Sequence, residues 1–419
     1  MFDRFRKPLP NRLRILLLLF FPIMTLMGAI SFGMSESVEG LIKILFSVAL
    51  LTQDYIEVGG VGGALLNAGL IALINIGIMF VLNISFNGLL MAAFFTVFGF
   101  SFMGMNALNI LPIYLGGFIY SRARHIPFRQ VVLISIFASG LAPIVSHGYF
   151  GFVENHILGL LIATFSGIII GYFIIPLSQH MLRFHDGFNL YNIGFTSGLV
   201  AIVYTSFLRA TKLDFTFDSY IYKEHSSIII AMVLVSSFYM LVIGIFSAHD
   251  LKGRMKEIMG RSGRLVSDFT NAAGLGTACF NMGLLGLYSM LIVILMGGYF
   301  NGPVLAGIYS IIGFGAFGKH VKNMTPLMIG AVLAAYVLQL DISSTSVVVP
   351  VLFVTTIAPI AGVYGWFWGI VAGFAHIFLV SQFVGFHQGM SLYNNGFTGG
   401  MIAGMLVPMI ESVRRKKDE

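Results

Sequence analysis

The stretch "HDGFNLYNIGFTSG" occupies residues 185–198, and "HQGMSLYNNGFTGG" occupies residues 387–400. His185, Gly187, Leu190, Tyr191, Asn192, Gly194, Phe195, Thr196 and Gly198 recur in the second phrase as His387, Gly389, Leu392, Tyr393, Asn394, Gly396, Phe397, Thr398 and Gly400. Ordinary residue frequencies would give about one match in fourteen positions. Both phrases are polar, punctuated by glycine, and placed directly before an apolar run. A chain that carries such a phrase twice invites a search for a larger repeat.

That repeat emerges when the sequence is slid against itself by about 214 residues. Asp54 then meets Asp268, Asn67 meets Asn281, Asn87 meets Asn301, Gly104 meets Gly318, and Asn109 meets Asn323. With small changes of register, Pro143 meets Pro359 and the two opening phrases align. The chain therefore divides into residues 1–13, a first repeat over 14–208, a linker over 209–226, a second repeat over 227–410, and a basic tail over 411–419.

Composition sets the solvent for these halves. Hydrophobic residues make up 57% of the 419, and charged residues only 10%, where a soluble domain carries about 25%. Apolar runs of about 20 residues recur, each long enough to cross a ~30 Å hydrocarbon core. The expected fold is an all-α polytopic membrane protein with about seven membrane segments per repeat. The first repeat reads as 14–33, 63–83, 88–104, 110–121, 130–146, 156–178 and 188–208. The second reads as 227–247, 269–297, 302–318, 324–340, 345–361, 365–386 and 390–410. An odd number of crossings per repeat makes the second repeat enter the bilayer from the opposite side.

Charge placement agrees with that inversion. With both termini cytoplasmic, the segments "RFRKPLPNRLR", "SRARHIPFR", Arg183, "KGRMKEIMGRSGR", "KHVK" and "RRKK" all fall inside. Only Lys43, Arg209, Lys212 and Lys223 of the 24 Lys and Arg fall outside, as the positive-inside bias requires. The net charge of +7 is thus explained by loops that meet anionic lipid headgroups, and no nucleic-acid partner is expected. The apolar run 41–53 is too short to cross and reads as a surface or half-penetrating helix. An oligomer is compatible with all of this.

The two phrases and the duplicated half resemble the uncharacterised bacterial Domain of Unknown Function 1576 family, over essentially the whole chain. The resemblance implies a bacterial cytoplasmic (inner) membrane and no known activity. At the level of topology alone, two inverted seven-segment halves are similar to the nucleobase and anion transporter architecture. Urea channels also use inverted halves, with fewer helices.

Candidate site residues follow from what the bilayer forbids. Backbone polar groups in lipid must be satisfied internally, so a glycine-rich polar phrase reads as a broken or re-entrant segment at the end of each repeat. Freed backbone groups there can bind ions or small polar solutes near the repeat interface. The substrate-binding candidates are Asp186, Asn189, Tyr191, Asn192 and Thr196, with Ser391, Tyr393, Asn394, Asn395 and Thr398 in the second phrase. Asn67 and Asn281, deeper in predicted spans, join them. The alternative is helix packing through small residues with Asn and Thr as hydrogen-bonding glue. Asp54 and Asp268 are ion-coupling candidates for H⁺ or Na⁺, with interfacial N-caps as the alternative. Asn87 and Asn301 read as turn residues.

No cofactor and no metal site is expected. The single cysteine, Cys279, excludes an internal disulfide, and the scattered histidines lack the spacing of a zinc site. No nucleotide-binding or hydrolase motif is present. The expected function is a secondary transporter or facilitator of a small polar solute by alternating access. The rivals are a passive channel of the urea-channel type and an intramembrane or lipid-handling enzyme.

Overall fold

Residues 10–51, 53–151, 155–213 and 219–415 are described by the structure, a computed structural model. The basic N-terminus (1–9) and the end of the tail (416–419) lie outside the described residues. The architecture is all-helical, and the β-contacts among the described residues are two isolated bridges, Gln53 with Tyr220 and Asp54 with Met103.

Sixteen helices of ten or more residues account for the body among the described residues. In the first half they are α1 (Asn11–Ser31), α2 (Met34–Leu45), α3 (Tyr55–Val81), α4 (Gly88–Phe100), α5 (Ala107–Ala123), α6 (Val132–Phe150), α7 (His156–Met181) and α8 (Asn192–Ala210). In the second half they are α9 (Ser227–Ser247), α10 (Leu251–Gly260), α11 (Leu275–Leu295), α12 (Gly302–Phe314), α13 (Val321–Val337), α14 (Thr345–Tyr364), α15 (Trp366–His387) and α16 (Asn394–Arg414). Each helix of the second half corresponds to the one eight places earlier. Ten of them are long and apolar enough to cross a membrane, and α4, α12 and α13 are shorter apolar helices. Where the sequence predicts about seven membrane segments in each half, the ten candidate spans divide as five and five.

Two departures from the expected boundaries bear on the site. The short surface helix is α2 over Met34–Leu45, not 41–53. Gly33 breaks the preceding helix at φ +88°, and the pattern SESVEGLIKIL then offers one apolar stripe. The downstream residues are held instead by tertiary pairing, with Leu51 N donating to Gly389 O at 3.0 Å. The second difference is α3, which starts at Tyr55 rather than 63. Asp54 caps it, its side chain accepting from Ile56 N, and Gly60 kinks it at φ +69°. The corresponding Gly274 breaks the second copy at φ +85°, separating the single turn Phe269–Ala272 from α11.

Burial sorts the helices into two shells. Every residue of α12 is buried, as is all of α4 except Leu89. The outer helices expose large apolar side chains, such as Ile157, Phe165 and Phe173 on α7 and Phe238 and Ile245 on α9. Such a surface is unstable in water and suits lipid. At the centre α4 and α12 run antiparallel. Gly88, at the start of α4, lies on Ala316 O just past α12, while Gly302, at the start of α12, lies on Phe102 O just past α4. Between these ends, Gly99 comes within 2.9 Å of Ala306 Cα and Gly313 within 3.1 Å of Ala92 Cα, counted from where a Cβ would stand. Small residues at these points let the two backbones touch, the packing that works where lipid removes the hydrophobic drive.

Hydrogen bonds repeat atom for atom between the halves. Asn67 Nδ2 donates to Ser101 O and Met105 O, at 2.7 and 2.8 Å. Asn281 Nδ2 donates to Gly315 O and Lys319 O, at the same two distances. Asn109 Nδ2 donates to Gly104 O, and Asn323 Nδ2 to Gly318 O. Residues 101–106 and 315–320 are irregular backbone buried among helices, so their carbonyls need donors. The duplicated asparagines supply them.

Candidate functional site

The two opening phrases meet. Each is a turn that leads into a helix, α8 after the first and α16 after the second. The helices pass each other antiparallel, crossing near Gly194 and Gly396. Gly194 lies 2.9 Å from the Tyr393 ring, and Gly396 lies 3.2 Å from Tyr191 Cβ, both from the position a Cβ would take. Phe195 and Phe397 stack at 5.7 Å. Farther along, Thr205 Oγ1 donates to Phe386 O, and Gly404 meets the Phe184 ring. Glycine is required at the crossing because a side chain would strike the opposite aromatic.

Each phrase also docks on the other half. Leu190 N donates to Thr356 O at 2.8 Å, and Leu392 N donates to Gly140 O at 3.0 Å. At the outer ends, Leu265 N donates to Gly187 O and Leu51 N to Gly389 O, both at 3.0 Å. Gly187 and Gly389 hold φ +76° and +77°, a turn in which a β-carbon would be strained. The result is four reciprocal backbone clasps, two per phrase.

Six aromatic rings converge at the crossing: Phe100, Phe137, Tyr191, Phe314, Phe353 and Tyr393. They form three repeat-related pairs. Phe100 lies 4.8 Å from Tyr393, and its counterpart Phe314 lies 4.6 Å from Tyr191. Phe100 lies 5.9 Å from Phe353, and Phe314 lies 6.1 Å from Phe137. Tyr191 and Tyr393 themselves are 6.3 Å apart. A cavity of about 220 Å³ opens against this cluster, walled by Leu190, Tyr191, Leu265, Phe314, Phe317 and Tyr393 among others. Val266, on its rim, is 80% exposed. A larger cavity, about 670 Å³, lies on the outer face along α5 and α7, where its walls include the exposed Leu108, Leu111 and Ile157.

One residue breaks the symmetry of the cluster. Lys319 is 0% exposed. Its Nζ donates to Tyr191 OH at 2.7 Å and to Thr355 Oγ1 at 2.8 Å, and lies 4.5 Å from the Tyr191 ring centre and 5.3 Å from that of Phe314. Among the described residues no carboxylate is within ion-pair reach of it. Its counterpart is Met105, whose Sδ receives Ser139 Oγ at 3.6 Å. The sequence reading placed Lys319 in a cytoplasmic basic loop with Lys322. Lys322 is exposed, but Lys319 is buried in the broken segment between α12 and α13. The register alone carried the missing signal, because it pairs this lysine with an apolar residue.

The other sequence candidates take definite places. Asn189 is buried, donates to Gly396 O at 2.9 Å, and accepts from Tyr191 N and Thr356 Oγ1. In the second phrase Ser391 Oγ accepts from Tyr393 N at 3.3 Å. Asn192 and Asn394 do not face each other. Asn192 Oδ1 lies 3.0 Å from His185 Nε2 and its amide donates to Ser178 O. Asn394 Oδ1 lies 2.7 Å from His387 Nδ1 and its amide points to Val380 O. Thr196 and Thr398 bond back to the carbonyls of Asn192 and Asn394, both at 3.0 Å. Asn395 O lies 3.3 Å from His376 Nε2. Asp186, at φ +49°, is exposed, and its carbonyl accepts from Arg264 Nε at 2.6 Å.

The aspartates form a reciprocal pair. Asp268 accepts from Thr270 N at 2.9 Å and, across the repeat interface, from Gly88 N at the start of α4. Asp54 accepts from Ile56 N and Tyr222 N, and from Gly302 N at the start of α12. Each therefore caps its own segment and the central helix of the other half, where the helix dipole favours a carboxylate. Asp54 is fully buried and Asp268 only partly. Burial pushes the Asp54 carboxyl up to about 7, against the lowering pull of those three amides. Asn87 and Asn301 cap α4 and α12 from their own side. No group of three or more metal-ligating side chains occurs among the described residues.

The chain matches the family described as "Protein of unknown function (DUF1576)" over residues 34–210 and 247–412, and it belongs to that family. One matched stretch falls in each half. No curated protein and no solved structure matches the chain.

Proposed function

We propose that this polytopic membrane protein is a secondary carrier of a small solute, working by alternating access between two inverted halves. The observation that carries the reading is the set of reciprocal clasps at the two ends of one crossing, with a cavity against one of them. Gly187 with Leu265 closes one end of the crossing, and Gly389 with Leu51 closes the other. Two equivalent clasps at opposite ends can open in alternation while the antiparallel pair α4 and α12 stays as a fixed axis. The cavity adjoins the Gly187–Leu265 end, beside the basic residues Arg261 and Arg264. On the charge bias that end is cytoplasmic, so this state faces inward, in a bacterial inner membrane with both termini cytoplasmic. Asp54 is the coupling candidate this reading favours, because its carboxyl is buried at the start of α12 and changes charge near neutral pH.

Topology and flux test it together. Cys279 is buried, so single cysteines introduced beside Arg124, Arg261 and Lys212 report alone. Labelling near Arg124 and Arg261 from the inside, and near Lys212 from the outside, is expected. Labels near Arg124 and Arg261 on opposite sides would remove the inversion. In liposomes a carrier gives saturable uptake and counterflow. Fast flux without saturation or counterflow would instead mark a channel.

A further inference from the structure

We infer that exchange of the two halves opens a second solute cavity at the Gly389–Leu51 end of the crossing, with Asn395 as its polar wall residue. Its solute is an uncharged molecule with an apolar body and one N–H or O–H donor group. The exchange itself rests on the carrier reading, which this deepens; the walls and the polar residue follow from the repeat.

The cavity of about 220 Å³ is walled by Tyr191, Ile193 and Gly194 of the first phrase, with Leu265 and Phe314. The register converts these into Tyr393, Asn395, Gly396, Leu51 and Phe100 of the other half. The two sets are covered differently. Asn192 and Ile193 are half-buried, whereas Asn394 and Asn395 are buried. One end of the crossing thus stands beside a cavity, while the matching residues at the other end are packed away. Related halves that trade conformations trade these environments too, so the second set lines the opening in the opposite state.

An independent feature marks Asn395. Its side-chain oxygen is buried with no hydrogen-bond partner among the described residues, and so is Nδ1 of His376 on α15. The two residues are neighbours, with His376 Nε2 3.3 Å from Asn395 O. Their mates in the first half are Ile193 and Ile174. A polar pair therefore stands where the repeat has an apolar one, and two of its atoms go unpaired in this state. Buried polar groups are normally paired, and leaving one unpaired is costly. Brought to the position that Ile193 holds here, the Asn395 oxygen would face an opening and accept a donor from the solute.

The same walls define the solute. Neither the lining residues nor their register mates include a charged side chain. A bare ion there would lie buried without a partner, far costlier than a neutral group, so the solute is uncharged when bound. The walls are mostly leucine, phenylalanine, isoleucine and valine, so its body is apolar. The volume of about 220 Å³ equals roughly seven water molecules at ~30 Å³ each. That admits a short chain or a single ring and excludes a nucleotide. A side-chain amide oxygen is an acceptor, so the solute brings an N–H or O–H, as primary amides and alcohols do. Because Ile193 takes the place of Asn395 in the inward cavity, that bond is made only at the outer end.

The test uses the full chain, purified and reconstituted. Asn395→Cys should react with a membrane-impermeant maleimide added outside, and Ile193→Cys with the same reagent added inside. The binding probes are butyramide, benzamide, 1-butanol and benzyl alcohol, beside butyrate and benzoate. The wild type is expected to gain thermal stability, saturably, from at least one neutral probe and from neither carboxylate. Asn395→Ile, which installs the residue of the first half, should bind that probe about fivefold more weakly, the loss of one hydrogen bond. Asn395→Gln should keep part of the binding. Carboxylates that bind as well as the neutral probes, undiminished binding by Asn395→Ile, or no binding of any probe at millimolar concentration would each overturn the inference. Flux above that of protein-free liposomes separates it from the carrier reading. Counterflow of a neutral probe, with Asn395→Cys never labelled from outside, sinks the second cavity and leaves the carrier. Outside labelling of Asn395→Cys and probe binding through Asn395, with no transport, sinks the carrier and leaves the site standing.

Discussion

Residues 101–106 and 315–320 occupy equivalent places in the two halves, yet one holds Met105 against Ser139 and the other holds Lys319 against Thr355. The scaffolds around them agree closely. Both segments hang from an asparagine amide, Asn67 or Asn281, at identical distances. The differences gather instead on the faces that meet at the crossing. Opposite Tyr191 the second half presents Lys319, Thr355 and Thr356; opposite Tyr393 the first half presents Met105, Ser139 and Gly140. Asn189 bonds Thr356, while its counterpart Ser391 has only the glycine to face. Duplication built a symmetric frame, and a few substitutions made one side of its centre more polar. A symmetric frame suits two related conformations; an asymmetric centre suits an asymmetric ligand.

The sharpest way to break that comparison is to make the halves alike. Met105→Lys should place a second buried amine beside Ser139. Burying a polar group without full compensation costs about 1–3 kcal/mol, so the variant should melt below wild type. A stable Met105→Lys protein would mean that water reaches this face of the crossing and that the two sides are less different than their packing suggests.

The aspartates extend the comparison to pH. Asp54, with its carboxyl held up to about 7 and an ordinary value of 3.8, keeps a proton in the folded state that the unfolded chain has released. Stability should therefore fall as pH rises from about 4 to about 7, by at most about 1.4 kcal/mol per pH unit. Asp54→Asn should flatten that slope. Melting curves of wild type and variant across this window check it.

Smaller effects come from the clasps. Gly140→Thr copies Thr356 into the first half, but its β-carbon would meet the Tyr393 ring. Overpacking typically costs about 1–3 kcal/mol, so this variant should melt below wild type. Asn189→Ser copies Ser391 and loses the bond to Gly396 O, which should lower stability by about 1 kcal/mol. Denaturation in detergent measures both variants.

Much of the frame was readable beforehand because a membrane imposes simple rules. Apolar length marked the segments, and the register marked the pairs that later proved to hold the broken loops, Asn67 with Asn281 and Asn109 with Asn323. The repeated phrases led to the crossing because a polar, glycine-rich run before an apolar helix needs partners inside the protein. Reading failed where one-dimensional cues pointed outward. "KHVK" looks like a basic loop, yet Lys319 is buried and Lys322 is exposed. Residues 41–53 look like a helix by hydropathy, yet the helix ends at Leu45, and the turn and irregular backbone of 46–51 is tied to the distant Gly389 through Leu51 N.

The sequence by itself determined the duplication, the membrane setting and the positions at which the chain must leave a regular helix, because those follow from apolar length, residue spacing and the need to satisfy backbone groups. Tertiary structure alone decided that Lys319 meets Tyr191, 128 residues away, that Asn192 and Asn394 turn to their own halves, and that each aspartate caps the helix of the other. The physical reason is that a side chain's partners, and hence its charge state and chemistry, depend on which surfaces the halves bring together when they pack, and no local pattern encodes that meeting.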